Sequence, residues 1–402
     1  MNCPMLLILS GMIVLACLPV PVASAVNPLW TVEATTSGEL STIAISADGS
    51  TIVAGGDQLI ALSRDGGKRW TGWSGSPLAV SRDGNFILTS RGQTVRMISG
   101  AGTMLWDEYL ETPVKEVAMT PDASLIAAGG ANRLRLINPS GSGIRQNNTM
   151  PIISHFRLFP DGEQIVITSE DGIHTSNLSL FSEWTDANVT QDFVEVSADG
   201  SMFVSMTNNR IRSYTRGGNL TWSRALPGGN ALGFAYSRDG STIVVGRDDN
   251  TVQALDLDGN LLWTDRASHW VTSVTVSDDG DTIVAGSMDR TLSVYDRTGT
   301  KLGTATVKNA IKSGSVAVSG DGSVIAVVDG SAVYGFSRSQ FTRPVITVET
   351  TTAPPLTTLA HATATMPTSP AAIPAATQKA AFLPATVVAG LVLLLGWRSR
   401  NS

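Results

Sequence analysis

Apolar and polar positions alternate with period two over short stretches through most of the chain, and no stretch of the central region keeps a helical period. Residues 271–304 show the unit. Val271-Thr272-Ser273-Val274-Thr275-Val276 alternates, Asp279-Gly280 turns the chain, and Thr282-Ile283-Val284-Ala285 is β-branched and apolar. Asp289-Arg290 turns it again, Thr291-Leu292-Ser293-Val294-Tyr295 alternates, and Arg297-Thr298-Gly299 leads into a short outer strand. Asp-Gly turns tolerate positive φ and suit tight hairpins, so the unit predicts four short antiparallel strands.

Two landmarks show that the unit repeats eight times. Turn aspartates stand at Asp48, Asp83, Asp122, Asp161, Asp199, Asp239, Asp279 and Asp321, at steps of 35 to 42 residues. Trp30, Trp70, Trp106, Trp184, Trp222 and Trp263 keep the same period; Arg145 stands where one tryptophan is missing, and Gly303 stands at the position after Trp263. A forty-residue period of four strands cannot bury its faces alone and must stack on its neighbours.

The run Val274-Thr275-Val276-Ser277-Asp278-Asp279-Gly280, then Val284 to Asp289, then Val294-Tyr295-Asp296, resembles a WD repeat with Tyr295-Asp296 at the Trp-Asp position, although the Gly-His element of that family is absent. The outer strand, as in Asp256-Leu257-Asp258-Gly259-Asn260-Leu261-Leu262-Trp263, resembles the pyrroloquinoline-quinone-type repeat. Both resemblances imply an all-β fold, an eight-bladed β-propeller of four-stranded blades over residues 26–342. Leu29-Trp30-Thr31-Val32 matches an outer strand without inner partners, and the last unit lacks an outer strand. The first piece is therefore expected to close the ring, which would also pair exposed strand edges.

The two ends read differently. Residues 5–18 are almost wholly apolar and Ala23-Ser24-Ala25 has the small residues of a cleavage site, so residues 1–25 are expected to be a signal peptide. A lipobox-like cut before Cys17 and an uncleaved anchor are the rival readings. Residues 343–379 are rich in Thr, Pro and Ala and predict a disordered stalk. Residues 380–397 are uncharged and mostly apolar, about 27 Å as a helix, which predicts one transmembrane helix. The basic residues Arg398 and Arg400 place residues 398–402 in the cytoplasm and the propeller outside, at the cell surface. Stalk, apolar helix and basic end together resemble a cell-surface sorting signal; Leu383-Pro384-Ala385-Thr386 lacks the sortase glycine, and a plain anchor is preferred.

Composition narrows the chemistry. A net charge of −6 in 402 residues excludes a polybasic nucleic-acid binder, and the two cysteines, Cys3 and Cys17, both fall in the leader. His155, His174, His269 and His361 are scattered, and no nucleophile elbow, phosphate loop or zincin motif occurs. The chain is therefore expected to be non-enzymatic, with no cofactor and no metal. The resemblance to WD repeats implies that the turn aspartates, and Asp57, Asp171, Asp249, Asp289 and Asp329 with Asn132 and Asn208, brace turns. The periodic tryptophans are expected to pack between blades. Trp73, Arg91, Tyr109, His269 and Trp270 fall outside the repeat pattern, in loops that the resemblance places on the face opposite the Asp-Gly turns. They are the candidate binding residues for a protein or glycan. Asn147, Asn177, Asn188 and Asn219 head glycosylation sequons in expected loops. Innermost strands such as Ile43-Ala44-Ile45 and Val316-Ala317-Val318 are small and apolar, and Glu116, Arg157 and Glu195 alone bring charge, so a plain structural channel is expected. The alternative function is a quinone- or metal-dependent surface enzyme using that channel, for which two convergent carboxylates with a His or Arg would speak. A scaffold without a discrete ligand is the third reading.

Overall fold

The computed structural model describes residues 25–341, apart from 35–37, 77, 188–192 and 208, together with the backbone of residues 6–9 and 12–15. Leu6–Leu9 and Met12–Leu15 pair as an antiparallel hairpin. The rest of the expected leader up to residue 24, the stalk at 343–379, the helix at 380–397, the tail at 398–402, Asn188 and Asn208 lie outside the described residues. Among the described residues no helix is long and apolar enough to cross a membrane.

Eight four-stranded antiparallel sheets follow one another along the chain. Their inner strands are Leu40–Ile45, Leu78–Val80, Glu116–Met119, Ile153–Leu158, Phe193–Val196, Ala231–Tyr236, Val271–Val276 and Val316–Val318, which number blades 1 to 8. Seven blades take their strands consecutively. Blade 8 takes its outer strand from the other end of the chain: Trp30–Glu33 pairs antiparallel with Ala332–Ser337, Trp30 opposite Gly335 and Glu33 opposite Ala332. The eight-bladed propeller and its closing strand are therefore as expected. One extra tie was not foreseen: Val26 bridges Ala305 of blade 7 in parallel, its N–H donating to the Thr304 carbonyl at 2.8 Å.

The Asp-Gly turns show why the sequence turns there. Ser277 Oγ donates to Asp279 Oδ1 at 2.5 Å and accepts the Thr282 N–H at 2.9 Å, while Asp281 N–H donates to the same carboxylate at 2.9 Å. Gly280 supplies the positive φ of +76°. The same Ser/Thr–Asp pair recurs at Ser46–Asp48, Ser81–Asp83, Thr120–Asp122, Ser197–Asp199, Ser237–Asp239 and Ser319–Asp321. These bonds, from Ser46 and the Ser50 N–H at Asp48 and from Ser197 and the Ser201 N–H at Asp199, hold the carboxyls below the ordinary value. In four blades an aspartate of the second set ties the opposite turn to the incoming chain: Asp57 accepts Glu39 N–H, Asp249 Gly229 N–H, Asp289 Ser268 N–H and Asp329 Asn309 N–H, at 2.9–3.0 Å, whereas Asp171 accepts Ser169 Oγ within its own blade.

Between blades, each periodic tryptophan lies against a positive-φ glycine in the last turn of the next blade: Trp30 on Gly66, Trp70 on Gly102, Trp106 on Gly141, Trp184 on Gly218, Trp222 on Gly259 and Trp263 on Gly299. A Cβ on Gly141 would sit 2.7 Å from Trp106 Cγ, so a side chain there would displace the ring. Five of the indoles also donate to that turn, Trp30 to Arg64 O, Trp70 to Gly100 O, Trp106 to Pro139 O, Trp222 to Leu257 O and Trp263 to Arg297 O, at 2.9–3.1 Å. Gly303 of blade 7 has no ring of its own; the short helix Arg338–Phe341 brings Phe341 onto it, buried with Phe336 at 5.7 Å.

Candidate functional site

The inner strands line the central channel, and alternation along them decides what it holds. In blade 4, Phe156 is fully buried among residues of blades 3 and 4. Its neighbours His155 and Arg157 must therefore leave the strand on the opposite face, which is the channel wall. Glu116 of blade 3 and Glu195 of blade 5 flank them. Arg157 Nη1 donates to Glu116 Oε1 at 2.6 Å, and its Nε and Nη2 donate to Glu195 at 3.1 and 2.8 Å. Glu116 also accepts the Phe156 backbone N–H at 2.9 Å and lies 3.3 Å from His155 Nδ1. His155 stacks on Phe193 at 5.4 Å, and Phe193 lies 6.1 Å from Phe234. The opposite wall is neutral: Thr272 to Thr275, Ser313, Gly314 and Val316 complete a cavity of about 290 Å³.

This corrects the expectation of a plain channel. Blades 1, 2, 7 and 8 are as small and apolar as expected, but two carboxylates, an arginine and a histidine converge on one wall. His155 is isolated along the sequence and meets Glu116 only because the fold sets blades 3 and 4 side by side. The signal was present in the repeat: Glu116, His155-x-Arg157 and Glu195 fall one period apart, at equivalent inner-strand positions.

The two carboxylates share the one guanidinium. Burial opposes the charge on Glu116, but the Arg157 guanidinium and the His155 hydrogen bond outweigh it and hold the carboxyl below its ordinary value. Burial likewise opposes the charge on Arg157, and Glu195 and Glu116 outweigh it, so the guanidinium is held more firmly protonated. Arg157 spends its donors on the protein and offers no free cation to an anionic ligand. On the Asp-Gly face, Arg82 of blade 2 reaches Asp278 of blade 7 at 2.5 Å, and both help line a second depression with Arg238. Among the described residues no group of three or more His, Cys, Asp or Glu side chains is arranged to hold a metal ion.

The five candidate residues divide between two sectors of the ring, and two of them do not lie in loops: Arg91 ends the strand Phe86–Arg91 and Tyr109 ends the strand Met104–Tyr109. Trp73, at φ +40°, folds back on blade 2: its indole donates to Gly102 O at 3.2 Å and Arg96 lies 5.1 Å from the ring. Arg91 donates to Ser74 Oγ and lines a shallow depression with Glu39 and Asp57. Tyr109, 60% exposed, donates to Gln93 Oε1. His269 and Trp270 form a separate pair between blades 6 and 7, rings 5.4 Å apart, with Trp270 47% exposed. No hydrogen bond or ring contact joins the two sectors among the described residues.

Two of the sequons do not lie in loops. Asn147 and Asn177 each end a strand, and their amide nitrogens donate to Leu180 O at 3.2 Å and Glu183 Oε1 at 2.7 Å. Asn219 sits exposed in a turn, and its side chain makes no hydrogen bond among the described residues.

A model of the family described as "Outer membrane protein assembly factor BamB" matches residues 175–372. No curated protein matches the chain by sequence. Among solved structures, Sqt1 of Saccharomyces cerevisiae superposes with a TM-score of 0.65 at 12% identity, covering 78% of this chain and 100% of that one. The C-terminal WD40 domain of Sif2 gives 0.66 at 15% identity over 78% and 99%, and Sqt1 of Chaetomium thermophilum gives 0.63 at 16% identity over the same shares. Blade geometry, repeat signature and these likenesses agree that the chain folds as a β-propeller of the WD and pyrroloquinoline-quinone-repeat type.

Proposed function

We propose that the protein is a non-enzymatic binding module of the cell surface. In this reading residues 1–25 direct export and residues 26–342 form the binding propeller. Residues 343–379 are the stalk, residues 380–397 cross the membrane once, and residues 398–402 remain in the cytoplasm. The partner is a protein or a surface glycan, met by loops on the face opposite the Asp-Gly turns. The observation that carries the reading is the exposure of Tyr109 and Trp270, large aromatic side chains that the repeat does not require and that the fold leaves in water. Trp73 supports the rim instead, because its indole is bonded to the next blade.

The test is capture from cell-envelope fractions by the full chain and by a Y109A/W270A variant. Loss of a partner by the variant supports the reading; equal recovery of the same partners by both rejects it. The enzymatic alternative draws on the channel cluster, which does bring two carboxylates, a histidine and an arginine together. It is the weaker reading because these groups are spent on one another. Substrate-dependent redox activity lost in an E116Q variant would restore it.

A further inference from the structure

In each blade one residue stands between the first residue of the Asp-Gly turn and its aspartate, and these positions ring the mouth of the channel on the Asp-Gly face. Backbone bonds knit the ring from blade to blade. Ala47 N–H donates to Arg82 O at 3.0 Å, Arg82 N–H to Pro121 O at 3.1 Å, Ala198 N–H to Arg238 O at 2.9 Å and Asp278 N–H to Gly320 O at 2.9 Å. Five of the eight residues are Ala, Pro or Gly, and the ionisable three are Arg82, Arg238 and Asp278. Blades 1 and 8 separate Arg82 of blade 2 from Asp278 of blade 7, so their ion pair at 2.5 Å crosses the mouth instead of following its rim. Gly320 leaves room for it, because a Cβ there would sit 2.5 Å from Asp278 Oδ2. The pair engages one nitrogen of Arg82, and Arg238 makes no side-chain hydrogen bond or ion pair among the described residues. Two guanidiniums therefore share one carboxylate, and the mouth holds one positive charge in excess. Burial, and then the charge of Arg82, pushes Arg238 below its ordinary value against the pull of Asp278. The second cation is thus held in a field that its surroundings do not cancel. Beneath the rim the lining is apolar, with Ile45, Val80, Met119 and Val318 around a depression of about 260 Å³.

We propose that this mouth binds a small aliphatic monocarboxylate, its carboxylate on Arg238 and the unused edge of Arg82 and its tail on the apolar lining. One excess positive charge matches a monoanion, whereas a dianion would bring its second charge against Asp278. A guanidinium presents parallel N–H groups that fit the two oxygens of a carboxylate. The apolar side chains below shelter a short tail, and the polar groups at the rim fix its orientation. Arg157, deeper in the channel, cannot serve the same purpose, since Glu116 and Glu195 occupy its donors. The site lies on the face opposite the aromatic candidates and stands whether or not they meet a partner.

The experiment mixes the full chain in detergent micelles with sodium butyrate and reads binding by saturation-transfer difference NMR of the butyrate methyl group. Butyramide is the neutral control and inorganic phosphate the competitor. Saturable binding of butyrate, absent with butyramide and not displaced by an equal concentration of phosphate, is expected. R238M should weaken it about tenfold, the worth of one charge-assisted pair. D278N, which removes the competing carboxylate, should tighten it about threefold. A gain of affinity in D278N cannot arise from misfolding, so the two variants together separate a lost site from a lost fold. Y109A/W270A should bind butyrate as the wild type does. No saturable signal, equal binding of butyramide, displacement by an equal concentration of phosphate, or wild-type affinity in either R238M or D278N would overturn the proposal.

Discussion

Replacing Arg157 by Met asks whether the channel cluster is a structural clamp. The substitution keeps the apolar stem and removes the charge, leaving Glu116 and Glu195 facing each other without a counter-ion. Breaking a fully buried pair costs about 3–5 kcal/mol, and an exposed one about 0–1. These side chains lie between the limits, with Arg157 32%, Glu195 28% and Glu116 15% exposed. Two charge-assisted pairs at that depth give an expected loss of about 2 kcal/mol at pH 7. The pH dependence fixes the sign. In the native protein Glu116 is held below its ordinary value, so its contribution is present above the unfolded value near 4.3 and is lost as pH falls through the folded one. In R157M the burial remains and the compensating charge is gone, so the carboxyl is relieved by protonation. The penalty should therefore shrink to below about 1 kcal/mol near pH 4. Urea unfolding followed by tryptophan fluorescence measures both values. The triple variant E116Q/R157M/E195Q, which leaves no orphaned charge, should lose less than R157M alone at pH 7. A penalty independent of pH, or a triple variant less stable than the single one, would refute the clamp.

The tryptophan–glycine junctions predict a coupled pair. W263A should cost about 3–4 kcal/mol, since the ring stacks on Tyr295 at 5.1 Å and bonds Arg297 O. G299A should cost about 2 kcal/mol in the native background, because its Cβ would meet that ring at φ +86°, and about 1 kcal/mol once the ring is gone; urea midpoints of both singles and the double variant give the coupling. S277A should lose about 1–2 kcal/mol by the same assay, since it leaves the buried Thr282 N–H without its acceptor. Tyr214, Tyr236, Tyr295 and Tyr334 should stay protonated at pH 11 in an ultraviolet absorbance titration. Burial, then nearby aspartates, pushes Tyr236 up to about 12, and burial with Asp329 does the same at Tyr334. Burial together with Asp186 and Asp265 raises Tyr214 and Tyr295 as well.

Architecture was legible because it is repeated. Eight Asp-Gly turns and six tryptophans mark the same places in each blade, and an outer strand without inner partners at one end matched a blade without an outer strand at the other. What escaped notice lay where the repeat changes. The channel charges sit on alternate residues of inner strands whose buried members, such as Phe156 and Val194, gave them an apolar look. The place of Phe341 could not be read from local pattern, because a four-residue helix fills a gap left some 40 residues earlier in the fold's period, at Gly303. Trp73 read as a spare aromatic because its glycine partner, Gly102, already serves Trp70. Arg145 was visible as an exception, but only the three-dimensional neighbourhood shows that the buried Leu180 side chain fills the indole place at that junction.

Ring closure carries the rest, since the channel wall and every junction depend on blade 8 being completed by the chain's beginning. Hydrogen exchange of the Val32 and Ala34 amides, which face the strand Ala332–Ser337, read beside those of Val324–Val328, tests it directly. Protection of Val32 and Ala34 that is lost in urea together with that of the strand at 324–328 is the predicted result. Exchange of Val32 and Ala34 at the rate of a free terminal peptide, while the strand at 324–328 stays protected, would contradict it.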